Sequence, residues 1–111
     1  DWVNTYGEWN QACSNEMKAM FTRLNKRFVS KGIPCIIGEY GPHGNNVTIN
    51  ASSSDKLKKA AADQAADMVA QAKALDIATF YWMSIFDAND RTVPQWTLPT
   101  VVDAMRAAYA K

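Results

Sequence analysis

Apolar residues recur along this chain with two different periods. From Ser14 onward, Met17, Met20, Phe21, Leu24 and Phe28 follow at helical spacing. Ser14 suits the N-cap of that helix, and Glu16 suits its first turn. Gly32 ends the helix and Pro34 prevents its return. The run "CIIGEY" (Cys35 to Tyr40) then reads as a short strand between turn residues. Ser54 caps a second predicted helix, with Leu57, Ala61, Ala65, Met68, Ala72 and Leu75 on one face. "ATFYWMSI" (Ala78 to Ile85) reads as a second strand, rich in aromatics. Pro99 suits the first turn of a last helix, whose apolar face is Val101, Val102, Met105 and Tyr109. Residues 1–13 show no periodicity and read as loop. "GPHGNNVTINASSS" and "FDANDRTVPQWT" read as long loops, more than a connector needs.

The order is therefore helix, strand, helix, strand, helix. Strands that alternate with helices pair in parallel through crossover connections. Two parallel strands leave both sheet edges bare, and parallel sheets are normally covered on both faces. The three helical stripes also carry more apolar surface than two strands cover. The pattern thus predicts a piece of a larger α/β sheet or barrel, completed by another chain or another copy. The opening "DWVNTYGEWN" has no initiator Met, which fits a processed product or a fragment.

Composition narrows the function classes. Of 111 residues, 48% are hydrophobic and 21% charged, and the formal net charge is +1. That balance offers no electrostatic footprint for nucleic acid or for an anionic membrane. The "KLKK" cluster (Lys56 to Lys59) reads as the solvated face of a helix. No apolar run is long enough to span a bilayer. Cys13 and Cys35 form neither a metal pattern nor a disulfide framework and read as free thiols. "NVT" and "NAS" match the glycosylation acceptor pattern at Asn46 and Asn50 and mark an exposed loop.

Two residues carry the candidate chemistry. Glu39 ends the first predicted strand, and active sites of parallel barrels gather at the carboxyl ends of their strands. Alternation puts Cys35, Ile37 and Glu39 on one face, with Ile36 and Tyr40 on the other. On the second strand, Trp82 lies near the end and shares a face with Ala78 and Phe80. Ile37, Ala78, Phe80, Glu39 and Trp82 are thus expected to face the barrel interior, and Ile36, Tyr81 and Met83 the helices. A rim tryptophan offers a flat apolar platform for the C–H face of a sugar. Trp2, Tyr6, Trp9, Tyr40 and Trp96 lie near the predicted rims too. One acid among several aromatic platforms suits carbohydrate better than phosphate or peptide.

These residues stand in runs with a known likeness. "KGIPCIIGEYG", "DIATFYWMSIFDANDR" and "QWTLPTVVDAM" together resemble the C-terminal part of glycoside hydrolase family 5, from about Ser14 to the end. The resemblance implies the C-terminal portion of a (β/α)8 TIM barrel: helix six, strand seven, helix seven, strand eight and helix eight. Residues 1–111 are then the C-terminal part of a single catalytic domain, incomplete without the rest. It implies retaining hydrolysis of internal β-1,4-glycosidic bonds in cellulose or a related β-glucan, with Glu39 as nucleophile and Trp82 under the sugar at the cleavage point. Tyr40 and His43 are further candidates for substrate contact. The family often has Asp-Asn after that tryptophan, where this chain has Met83-Ser84. Asp90-Arg91 resembles the pair that often precedes the last helix, and Arg91 reads as structural.

Retaining hydrolysis needs a second carboxyl group about 5 Å from the first. The family supplies it from an Asn-Glu-Pro motif on strand four. "SNEM" at Asn15-Glu16 is no match, because it lacks the proline, follows no strand and opens a helix. The acid/base residue must come from the missing N-terminal part of the barrel; the open sheet itself is expected to be closed by that part as a second chain, or by self-association. No cofactor or metal is implied, and the expected partner is a β-glucan polysaccharide. A secreted, cell-surface or periplasmic location is implied. Two alternatives stand: a mannanase or xyloglucanase of the same family, and a non-catalytic carbohydrate-binding or assembly fragment using Trp2, Trp9, Trp82 and Trp96.

Overall fold

The computed structural model describes residues 2–44, 47–82, 85, 92 and 95–111. Its elements run α1 (Trp2–Thr5), α2 (Gln11–Arg27), β1 (Ile36–Tyr40), β2 (His43–Gly44), β3 (Val47–Thr48), α3 (Asp55–Lys73), β4 (Ala78–Tyr81) and α4 (Pro99–Ala110). The long helices and β1 stand where the periodicity put them; β4 starts at Ala78 as expected but ends at Tyr81, and Ile85, expected in the strand, lies buried in a turn. The start of α2 differs too. Asn10, in extended backbone, is its cap, and its side chain accepts from the Cys13 amide at 3.1 Å. The Ser14 amide already donates to the Asn10 carbonyl, so Ser14 lies inside the helix. Asn caps as well as Ser, and the polar stretch before the apolar stripe offered both. Glu16 consequently sits in the second turn. The expected loop over residues 1–13 also contains α1.

β1 and β4 pair in parallel, as the alternating order requires. Ile36 pairs with Ala78 and Ile37 with Thr79, but Tyr40 pairs with Tyr81. Three steps on β1 therefore answer two on β4, which is a bulge at Gly38–Glu39. The expected facing fails only before the bulge, on β1. Ile37 and Cys35 pack on the helix side, while Ile36 is 64% exposed on the open side. Tyr40 and Tyr81 do face the helices, as expected, because the extra residue restores the phase. On β4, Ala78 and Phe80 lie on the open side and Tyr81 packs on the core. Met83 lies outside the described residues.

The helices cover one face of this sheet. Ala60, Ala61, Ala65 and Ala72 are buried along α3, and Val101 and Val102 along α4. Alanines let the two helices pack closely, and these two share the most extensive contact of any pair of elements. Phe21 of α2, wholly buried, joins them with Met17, Met68, Ile77 and Leu98 in a single core. Lys56 and Lys59 are solvated, as the charge pattern predicted. The other sheet face has no cover: Ile36, Phe80 and Trp82 stand exposed. The two strands form a sheet of their own, separate from the short antiparallel β2–β3 hairpin within the predicted loop. No helix among the described residues is long and apolar enough to cross a membrane. Cys13 is buried and Cys35 half-buried, both as free thiols.

α3 ends in a left-handed turn. Asp76 has φ of 60°, and the Ile77 amide closes onto the Ala72 carbonyl at 3.0 Å. A side chain in that conformation costs about 1 kcal/mol, which glycine avoids. Asp76→Gly is thus expected to raise stability by about 0.5–1 kcal/mol, read from denaturant unfolding of the complete protein.

Candidate functional site

The carboxyl ends of β1 and β4 lie side by side, and the candidate residues follow from that pairing. Glu39 occupies the bulge next to the last residue of β1 and is exposed. The bulge turns its side chain away from the helix-packed ladder, where a carboxylate finds no partner. Trp82 follows β4 directly. Its backbone amide donates to the Tyr40 carbonyl at 2.8 Å, which extends the parallel ladder one residue past β4. Its indole is 49% exposed on the open side. A charged group and an aromatic face thus stand on adjacent strand ends, Trp82 held by its own backbone hydrogen bond and Glu39 by the paired residues on either side of the bulge, Ile37 and Tyr40.

Tyr40 does not join them. It is 8% exposed, edge to face with Tyr81 at 5.2 Å, and its hydroxyl donates to the Met105 sulfur of α4 at 3.2 Å. Burial pushes its phenol up to about 12, while a hydrogen bond with Thr79 pulls the other way. Its place is the core between sheet and helices, so the substrate contact expected of it is replaced by a supporting role. Strand alternation alone already put Tyr40 opposite Glu39.

His43 begins β2 and is exposed. The chain reaches it through a tight turn in which the His43 amide donates to the Gly41 carbonyl at 3.0 Å. Gly41 is the residue that the sequence reading passed over. A Cβ there would stand 2.8 Å from the Trp82 carbonyl oxygen and 3.2 Å from His43 Nε2. Only glycine lets the backbone pass between the tryptophan and the imidazole. The Gly-Pro pair signalled a turn in the sequence; the neighbour 41 residues away in the chain had no local signal. Glu39, Gly41, His43 and Trp82 are therefore brought together at one end of the sheet.

Other candidates lie elsewhere. Glu16 is exposed on α2 and lines a cavity of about 460 Å³ with Trp2, Trp9 and Gln64. It is no partner for Glu39. Trp2 and Trp9 meet edge to face at 5.5 Å and pack on the core, so they do not extend the Trp82 platform. Trp96 is 38% exposed ahead of α4. Asn50 lies in an exposed turn, where its side chain accepts from the Ser52 amide. Asn46, Ser84, Asp90 and Arg91 lie outside the described residues. No cluster of His, Cys, Asp and Glu fit to hold a metal ion occurs among the described residues.

This arrangement has counterparts among known proteins. The family model described as Cellulase (glycosyl hydrolase family 5) matches residues 1–87. Among solved structures, the endo-beta-mannanase/endo-beta-glucanase PbGH26A-GH5A of Prevotella bryantii superposes with a TM-score of 0.92 at 51% identity, over 99% of this chain and 16% of that one. A glycoside hydrolase family 5 enzyme of the same organism, in complex with a xyloglucan tetradecasaccharide, superposes with a TM-score of 0.90 at 51% identity, over 97% of this chain and 31% of that one. A family 5 lichenase from a Caldicellulosiruptor species gives a TM-score of 0.71 at 27% identity, over 94% and 28%. This chain thus spans less than a third of each solved chain that it matches here. No curated protein matches it.

Two outcomes follow from the geometry. Gly41→Ala is expected to cost about 1–3 kcal/mol, because a backbone oxygen must move to admit the methyl group. Thermal unfolding gives the cost, and a shift in Trp82 emission locates it. Tyr40 predicts a pH dependence. Its folded value of about 12 lies above the ordinary phenol value of 10.0, so its contribution is complete below pH 10 and lost as the pH rises through 12. Tyr40→Phe is expected to remove about 2–3 kcal/mol of alkaline destabilisation, measured by denaturant unfolding at pH 9 and above.

Proposed function

The chain belongs to glycosyl hydrolase family 5, and from that premise we propose that it is the C-terminal part of a (β/α)8 barrel enzyme that cleaves β-1,4-linked glucans with retention. The elements α2, β1, α3, β4 and α4 are helix six, strand seven, helix seven, strand eight and helix eight. Glu39 is the nucleophile and Trp82 the platform under the sugar at the cleavage point. The observation that carries this reading is the placing of an exposed carboxylate and an exposed indole on adjacent carboxyl ends of parallel strands. His43, whose imidazole lies against Gly41 as the Trp82 carbonyl does, follows β1 on the same rim.

The mechanism follows from the positions. The Glu39 carboxylate attacks the anomeric carbon and forms a glycosyl ester as the leaving oxygen takes a proton. A second carboxyl group about 5 Å away gives that proton, then activates the water that releases the ester. Ionised Glu39 and its protonated partner need environments that push their pKa values apart. The N-terminal part of the barrel supplies the partner. The open sheet face with Ile36, Phe80 and Trp82 becomes the interior wall of that barrel, and the free edge of β1 pairs with strand six. Xyloglucan is the first substrate to try, since the relative at 51% identity binds a xyloglucan oligosaccharide; mixed-linkage glucan and mannan follow. Such polymers do not cross membranes, which places the enzyme outside the cytoplasm. A carbohydrate-binding fragment without catalysis is the reading left if the assembled barrel proves inert.

In the complete barrel, Glu39→Gln is expected to lower turnover of soluble β-glucan by at least about a thousandfold, the scale of losing a reacting group. Polysaccharide binding should persist in calorimetry. Hydrolysis near the wild-type rate would reject Glu39 as nucleophile. The 111-residue chain alone is expected to scatter light as an associated species and to leave β-glucan intact.

A further inference from the structure

Glu39, Trp82 and His43 account for little of the polar structure near the amino end. A cluster of hydrogen bonds between side chains, two of them between residues 57 or 58 apart in the chain, is centred instead on Asp67 and Gln71, with Asp67 half-buried on α3. One of its oxygens, Oδ2, accepts from Trp9 Nε1 at 2.9 Å. The other, Oδ1, accepts from Gln71 Nε2 at 2.7 Å. Gln71 Nε2 reaches further to the Ser14 carbonyl and hydroxyl, at 3.3 and 3.2 Å. α3 therefore grips the first turns of α2 and the tryptophan just before the Asn10 cap.

The grip extends beyond Trp9. Trp9 meets Trp2 edge to face at 5.5 Å, and Trp2 opens α1. Gly7, with φ of 60°, reverses the chain between them, and its amide bonds back to the Trp2 and Val3 carbonyls. A residue with a Cβ takes that conformation only at a cost. Val3 is buried in the core, and α1 packs against β2, the strand that begins with His43. β2 follows Gly41, which is wedged between His43 and the Trp82 carbonyl. Asp67, Trp9, Trp2, α1 and the β2–β3 hairpin thus form a continuous run of contacts ending beside the candidate site.

We infer that Asp67 is a positioning residue: through Trp9 and α1 it fixes the β2–β3 hairpin, and with it His43, as one wall of the glycan cleft. The inference rests on the proposed glycanase reading for the word cleft, and on the contacts alone for the coupling. Its chemistry is specific. Both carboxylate oxygens of Asp67 accept from N–H donors. An amide in their place accepts at only one of the two positions: it turns a donor toward Trp9 Nε1, or toward Gln71, whose own amide must then flip and give up its bonds to Ser14. The loss is then confined to this joint, since the helix and its apolar face are unchanged.

Asp67→Asn and Trp9→Phe test it in the complete barrel; the second keeps an aromatic ring beside Trp2 but removes the N–H together with the five-membered ring. Hydrogen exchange should quicken about fivefold, the scale of one lost hydrogen bond, at the α1 amides and at His43 and Thr48, and not in β1 or β4. KM for polysaccharide should rise by a similar factor in both variants, while kcat on a small aryl β-cellobioside stays within about twofold. The double variant should be little worse than either single one. Unchanged exchange at His43 and Thr48 in both variants overturns the inference. So does an equal fall in kcat on the large and small substrates, which marks a general loss of fold. If the wild-type barrel hydrolyses no glycan, the glycanase reading fails, and the exchange measurement still decides whether Asp67 holds the hairpin.

Discussion

The parallel ladder between Ile36–Tyr40 and Ala78–Tyr81 is the constraint on which the rest depends. It determines which side chains meet the helices and which stand open. It ends in a hydrogen bond from the Trp82 amide to the Tyr40 carbonyl, so the position of the tryptophan is tied to the residue after Glu39. The core lies on the helix side, where Phe21, Ile49, Leu98 and Val101 are wholly buried, while Tyr109 at the end of α4, expected on its apolar face, is exposed. Everything on the opposite side is exposed. A sheet so divided is stable in water only if the open face is covered. That need is what joins the fold of this chain to the family of barrels to which it belongs.

The bulge at Gly38–Glu39 serves the same ladder. Without it, strict alternation would carry Ile37 and Glu39 on the helix face together, given that Ile37 packs there. A buried, unpartnered carboxylate is costly. The extra residue lets β1 bury Ile37 and Tyr40 and still leave Glu39 in solvent. Tyr40 then closes the core beneath the site, with its hydroxyl on Met105 of α4. Core packing and site geometry are settled in the same three residues.

What was legible in the sequence follows from range. Helical stripes, the Ser54 cap, the Pro99 start and both main strands rest on neighbours within four residues, and each was readable. Parallel pairing was readable from element order alone. The bulge was not, because it is fixed by what β4 and the helices present to β1. The Asn10 cap was not readable because residues 1–13 show no periodicity, so the helix was started at Ser14, the first capping residue beside the apolar stripe. The hairpin at His43 was hidden in a polar run with no alternation. At the site, Glu39 and Trp82 were readable by their place at strand ends and by family likeness. The role of Gly41 was invisible, since its constraint comes from Trp82, 41 positions on.

The same distinction of range bears on where variation is tolerated. Glu39 and Trp82 sit on backbone that the ladder holds, so their placement is insensitive to changes in surface loops. His43 has no such support. Its strand is two residues long and, among the described residues, pairs only with Val47–Thr48, below the size at which a hairpin is stable alone. Ile49, wholly buried, anchors its return. Its other support comes from α1 and so from the tryptophan pair and Asp67. A rim built this way combines a rigid element for the group proposed to react with an adjustable wall for the groups proposed to recognise the chain beyond it. Changes in Trp2, Trp9 or Asp67 then alter the wall without disturbing Glu39, which is the physical condition for one barrel framework to serve several β-glycans.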